Sequence, residues 1–142
     1  VNSGVFLRSK PEPTSVETDC FEFNIAPENN PFPTGSLVGN QRVEPEQIGD
    51  LVEDEWHSLH ALCDGDHIQT WVDGKAASDY RDTANRKTGL IGLQFREGAI
   101  RFRNIRLRPI TYGVLPSHDH KDWQFGGEQV LEHQKDEPGR MI

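Results

Sequence analysis

The stretch Cys20-Phe21-Glu22-Phe23-Asn24-Ile25 places a carboxylate and an amide two residues apart. Phe21, Phe23 and Ile25 alternate with Cys20, Glu22 and Asn24, which is the period of a strand with one buried face. Glu22 and Asn24 therefore stand together on the face turned away from the apolar set. A merely solvated face would more often carry Lys, Thr, Ser or Gln, so the pair reads as the floor of a polar site. Parity brings in two more strands. Arg8 lies opposite Val5 and Leu7, and Gln94 lies opposite Ile91 and Leu93. If those apolar residues turn inward, Arg8 and Gln94 join Glu22 and Asn24 on an open, concave face, and Arg96 follows Gln94 on the same side.

The acid content of that face limits its chemistry. Retaining glycoside hydrolysis uses two carboxylates about 5–5.5 Å apart, one as nucleophile and one as acid. Here the series along one face is Glu22, Asn24 and Ala26, with Glu28 displaced beyond Pro27. One carboxylate supplies one general base. Each residue also has a plainer reading: Arg8 as a salt-bridge partner, Asn24 as an anchor for a loop backbone, Gln94 as a structural amide.

The elements that must position these groups are strands. Gly4–Arg8 and Cys20–Ile25 are the first two, and the prolines of 27–33 exclude regular pairing after them. Residues 35–38 form a short strand candidate, and 40–55 read as a polar surface loop. Residues 56–63 and 67–72 are joined through Asp64-Gly65-Asp66. Asp73-Gly74 then turns the chain into 75–80, an Asp-Gly signal for a hairpin. Gly89–Phe95 and Ala99–Leu107 read as a last hairpin, with a bulge near Asn104 needed to bring Ile105 and Leu107 to the side of Ile100 and Phe102. No window before residue 110 has a helical apolar period. The fold class is all-β, an antiparallel sandwich or jelly roll.

Bulk properties exclude some partners. The 142 residues carry a formal net charge of −8 and are 34% hydrophobic, enough for one domain with a core. The acidic balance argues against nucleic acid, which needs a basic surface; Arg101, Arg103, Arg106 and Arg108 read as the solvent side of a strand. No apolar stretch approaches membrane-spanning length and no signal peptide is present. The chain opens on Val1 without an initiator Met, which reads as an excerpt or processed product. Cys20 and Cys63 are either a pair or two free thiols. Ser117-His118-Asp119-His120 is either a metal-like cluster or a solvated run. No Ser-His-Asp or Cys-His arrangement and no phosphate-binding glycine loop is assignable.

Several motifs resemble one family over residues 2–109: Asn2-Ser3-Gly4-Val5-Phe6-Leu7-Arg8, Phe21–Ile25, Pro31-Phe32-Pro33-Thr34-Gly35-Ser36, Glu55-Trp56-His57, Trp71-Val72-Asp73-Gly74, Gly89–Gln94 and Phe102-Arg103-Asn104-Ile105. The chain is similar to the 3-keto-disaccharide hydrolase domains, a family frequent in bacteria. That resemblance implies a concanavalin A-like jelly roll, incomplete here at the N-terminus because a Phe-Asn-Gly…Gly-Trp opening signature is missing. It divides the chain into a partial domain, 1–109, and a polar extension, 110–142. The extension would supply edge strands or, from Asp122-Trp123, begin a second copy. A periplasmic or extracellular location is implied as well.

The implied activity suits a single carboxylate. A ketone at C3 of a sugar acidifies the hydrogen on C2, one base removes it, the C1 substituent is eliminated, and water adds, for a net hydrolysis. Glu22 is the expected base and Arg8 the expected enolate stabiliser, with a divalent cation held by Glu22 and its neighbours as the alternative. Asn24, Gln94, Arg96 and Trp71 are the expected carbohydrate contacts; Trp56 and Trp71 stack on sugar or pack at the rim. Many relatives have His where this chain has Arg96. A non-catalytic sugar-binding module and a structural domain of a larger secreted protein are the other readings. Oligomeric state is left open.

Overall fold

A computed structural model of the chain describes residues 1–110 and contains two compact units, Val1–Ile100 and Arg101–Ile142. The first is an all-β sandwich of jelly-roll type. Its elements are β1 (Asn2–Ser9), β2 (Phe21–Ile25), a single-turn α1 (Pro45–Ile48), β3 (Leu59–Asp64), β4 (His67–Val72), β5 (Lys75–Arg81) and β6 (Leu90–Glu97). One antiparallel sheet has the order β2-β1-β6 and the other β3-β4-β5.

Alternation decides which residues meet between the sheets. Val5 pairs with Phe23 and Leu7 with Phe21 across β1 and β2, so these four share one face. They pack on Ile68, Val72 and Ala77 of the other sheet, with Leu37, Val43 and Ile48 closing the cluster. The polar groups inside are satisfied. Thr70 and Ser78 both donate to the Gly35 carbonyl, at 3.2 and 2.9 Å, and Thr70 Oγ1 accepts the Ser78 N–H where the β4–β5 register shifts.

The Asp73-Gly74 turn is as expected, with φ of 49° and 76° at its two residues. Other stretches depart from expectation. Residues 35–38 are not a strand; Leu37 makes isolated bridges to Phe23 and Gln41. The segment still lines β2, because Asn24 N–H donates to Ser36 O and Val38 N–H to Glu22 O. It thereby covers an edge that would otherwise stay unpaired. Residues 40–55 are not wholly surface, since Val43 is fully buried and Ile48 nearly so. Pro45 at the first helical position and a 2.9 Å bond from Glu44 N–H to Gln47 Oε1 start α1.

The strand expected at 99–107 is absent. Residues 99–110 have no strand, Asn104 adopts a φ of 55°, and Leu107 is 59% exposed. The parity break already present between Ile100/Phe102 and Ile105/Leu107 prevents one strand from burying both pairs. On β6, Leu93 is half-buried but Ile91, expected inward, is exposed, because β6 is an edge strand paired only with β1 among the described residues. Cys20 and Cys63 are both free thiols. The extension beyond residue 110, including Ser117–His120 and Asp122-Trp123, lies outside the described residues.

A buried ion pair ties the sheets together. Arg86 bonds Asp82 Oδ1 at 2.9 Å, and the two side chains are 12% and 1% exposed. The same guanidinium donates to the carbonyls of Glu17 and Cys20 and to Asn40 Oδ1, and it lies 3.9 Å above the Phe21 ring. Burial alone would raise the Asp82 pKa, but the bonds from Arg86 and Ala84 outweigh it and hold the carboxyl below its usual range. Removing one partner of a buried pair costs about 3–5 kcal/mol. Arg86→Ala should lower unfolding stability by about that amount in urea titration. Arg86→Lys should recover only part of it, because an ammonium cannot reproduce the planar fork.

Candidate functional site

The outer face of the β2-β1-β6 sheet is built in cross-strand rows. Asn24, Gly4 and Gln94 form one row and Glu22, Phe6 and Gly92 the next. Glu22, Asn24 and Gln94 therefore share a face across three neighbouring strands, as their parity predicts. The face is not open at β2. Glu22 and Asn24 are each only 4% exposed, so both sides of β2 are buried.

Gly4 makes the room for Glu22. A Cβ at this position would meet Glu22 Cγ and Oε1 at 3.0 Å and the Phe23 carbonyl at 3.2 Å. Over this bare backbone the carboxyl reaches Gln94 on the far side of β1. Burial raises the Glu22 pKa, while a hydrogen bond from Gln94 and the charge of Arg96 pull it back. The net shift is upward, the direction that suits a general base. The Gln94 Oε1 atom is itself buried, with no hydrogen-bond partner among the described residues. A buried acceptor thus stands unpaired among them beside a carboxyl of raised pKa.

Arg96 is exposed on the same side as Gln94 and is the cation that acts electrostatically on Glu22. Arg8 is not. It has a φ of 52° within a register shift of β1 against β6, and its guanidinium donates to Gly65 O at 2.6 Å and Arg86 O at 2.8 Å. Gly89 approaches so closely there that a Cβ would lie 2.3 Å from the Arg8 carbonyl carbon. The bulge redirects the side chain to the other sheet's turn, which strict alternation cannot foresee. The expected enolate-stabilising role of Arg8 is corrected on that ground.

Asn24 is an anchor. Its amide donates to the Phe32 carbonyl and its backbone N–H and C=O bond Ser36 and Gly35, pinning the proline-rich loop over β2. Trp71 lies elsewhere. On β4 the residues Ile68, Thr70 and Val72 are buried, so Trp71 points out of the opposite sheet, where it stacks on His60. It shares no face with Glu22. Sequence reasoning undervalued Gly4, whose signal was a glycine in mid-strand directly opposite the polar pair. Among the described residues, no group of three or more His, Cys, Asp or Glu is placed to hold a metal ion. The one carboxylate beside Gln94 does not make a cation cage.

The fold and this face define an all-β sandwich carrying one acid, two amides and one guanidinium on the outer side of the β2-β1-β6 sheet. Residues 1–108 match the family model of the 3-keto-alpha-glucoside-1,2-lyase-like domain, and the chain belongs to that family. No curated protein and no solved structure gives a significant match. None of the helices among the described residues is long and apolar enough to cross a membrane.

Two outcomes follow from the packing. Gly4→Val should push the Glu22 carboxyl off Gln94, raising its titration midpoint further in carboxyl carbon NMR and costing about 1–3 kcal/mol from overpacking. Glu22→Gln should be at least as stable as the parent at pH 7. An acid whose folded pKa is raised penalises folding above that pKa and not below its unfolded value, 4.5 for Glu. The advantage of Glu22→Gln in Tm should therefore shrink as pH falls through that window.

Proposed function

We propose that the chain cleaves 3-keto-glycosides by elimination and hydration, with Glu22 as the base. The observation that carries this reading is the buried carboxyl of Glu22, raised in pKa and flanked by Gln94 and Arg96, in a chain of the 3-keto-alpha-glucoside-1,2-lyase-like family. Glu22 takes the proton from C2, and the electron pair forms the enolate of the C3 ketone. Collapse of the enolate expels the C1 oxygen, which collects a proton from solvent. Water then adds its oxygen to C1 and gives one proton back to solvent while the proton on Glu22 returns to C2, so the sum is hydrolysis and the base is regenerated.

Arg96 is the cation suited to hold the enolate oxygen, in place of Arg8, since charge developing there needs a preorganised partner. Gln94, beside the base, positions a sugar hydroxyl. Asn24 acts at one remove, by fixing the loop that covers β2. A location outside the cytoplasm fits the same reading.

A second reading, a sugar-binding module without turnover, draws on the near-complete burial of Glu22. Incubating the purified chain with a 3-keto-disaccharide and following free sugar separates the two. Release is expected, with loss of at least a hundredfold in Glu22→Gln and a rising limb in the pH profile above the ordinary Glu range. Binding without release, from a folded chain, would establish the module instead. Release that survives Glu22→Gln would remove Glu22 as the base, and release abolished by EDTA would bring a divalent cation into the site.

A further inference from the structure

The β3-β4-β5 sheet has its own outer face, on the side of the sandwich away from Glu22. Its rows follow from the pairing. His60, Trp71 and Ala76 form one, Leu62, Gln69 and Asp79 the next, and Asp64, His67 and Arg81 the third. The inward residues of β4, Ile68, Thr70 and Val72, are fully buried, so the outward set is free of the core.

The first row is an aromatic shelf. The His60 and Trp71 rings stack at 4.9 Å with 25° between their planes. On the other flank of Trp71 its cross-strand partner is Ala76, a small side chain that is exposed. Trp56, 46% exposed, precedes His57, whose Nδ1 bonds Asp73 at 2.7 Å at the same end of the sheet. One row along, the polar groups are already fixed in place. Gln69 Nε2 donates to Asp79 Oδ2 at 2.9 Å and the His67 ring bonds Asp79 Oδ1 at 2.5 Å. These bonds use the amide nitrogen of Gln69 and leave its oxygen, and further lone pairs of Asp79, facing outward.

Rows on one face are two residues apart, about 7 Å along the strands. That is the span from a pyranose ring seated on Trp71 to a hydrogen-bonding partner of its hydroxyls. The axial C–H groups of a pyranose make an apolar patch that fits an aromatic surface, while its hydroxyls need acceptors held in place. On this face Asp64 and Asp79 stand against Arg81, which is itself ion-paired to Asp66 at 2.9 Å, so in a chain of net charge −8 the face disfavours an anionic polymer. We propose that this outer face binds a neutral hexopyranose glycan, with Trp71 as the stacking platform and Gln69 and Asp79 as the hydroxyl acceptors. The surface is independent of the Glu22 site and would hold a polymer beside a domain that acts on sugars.

The test titrates the whole purified chain with maltohexaose and with cellohexaose, following tryptophan emission and calorimetric heat. Binding to at least one is expected. It should weaken at least tenfold in Trp71→Ala and severalfold in Gln69→Ala, an exposed-face change that leaves the core untouched. Trp71→Phe should keep part of the affinity, and Glu22→Gln should bind as the parent does. No binding to either glycan, or binding unchanged in both Trp71→Ala and Gln69→Ala, would overturn the proposal. So would binding lost in Glu22→Gln but kept in Trp71→Ala, which would assign the sugar to the other face.

Discussion

The guanidinium of Arg86 is the constraint on which the rest of this sandwich depends. The chain leaves the β3-β4-β5 sheet at Asp82 and enters β2 at Phe21, and Arg86 bonds to both neighbourhoods at once. It also holds Asn40, beyond the segment that lines β2, and covers the face of Phe21 in the core. Its own backbone carbonyl receives Arg8. A planar fork with five donors can serve that many acceptors without leaving one unsatisfied, which is why a buried charge is tolerable there. The arrangement couples the position of β2, and with it Glu22, to the connection between the sheets.

Burial of β2 on both faces is the second consequence. A strand covered on both sides usually reads as a continuous apolar run, yet this one alternates. Its inner face is ordinary core, while its outer face keeps an acid and an amide, the amide tied to the proline-rich loop through the Phe32 carbonyl. Placing Glu22 there costs solvation, and the protein offsets it only partly, with one amide and one distant guanidinium. Such a deficit in a stable fold is the kind of local conflict expected where a site must act on something absent. The Gln94 oxygen, unpaired among the described residues, belongs to the same deficit.

The two outer faces of the sandwich divide the polar and aromatic inventory between them. Glu22, Gln94 and Arg96 lie on one, His60, Gln69 and Trp71 on the other. A reading that pools every polar or aromatic residue into one site fails here, because each sheet has only one outer face and parity sorts the residues without regard to their chemistry.

The sequence by itself determined most of the strands, though not the ones it suggested at 35–38 and 99–107, together with the hairpin at Asp73-Gly74, the all-β class and the grouping of Glu22, Asn24 and Gln94, because a period of two and the φ demands of a turn are local. It also carried the family, through motifs spread over residues 2–109. Tertiary structure alone decided the rest. A bulge at Arg8, forced by the close approach of Gly89, turned that side chain away from Glu22. Which face of β4 met the core placed Trp71 opposite the site. Val43 and Ile48, isolated in a polar stretch, became core by packing into the cluster between the sheets. Whether Ala99–Leu107 could pair hinged on a partner and a register that no local pattern encodes. Alternation specifies sides, but only packing specifies which side is inside and where a strand departs from its own period.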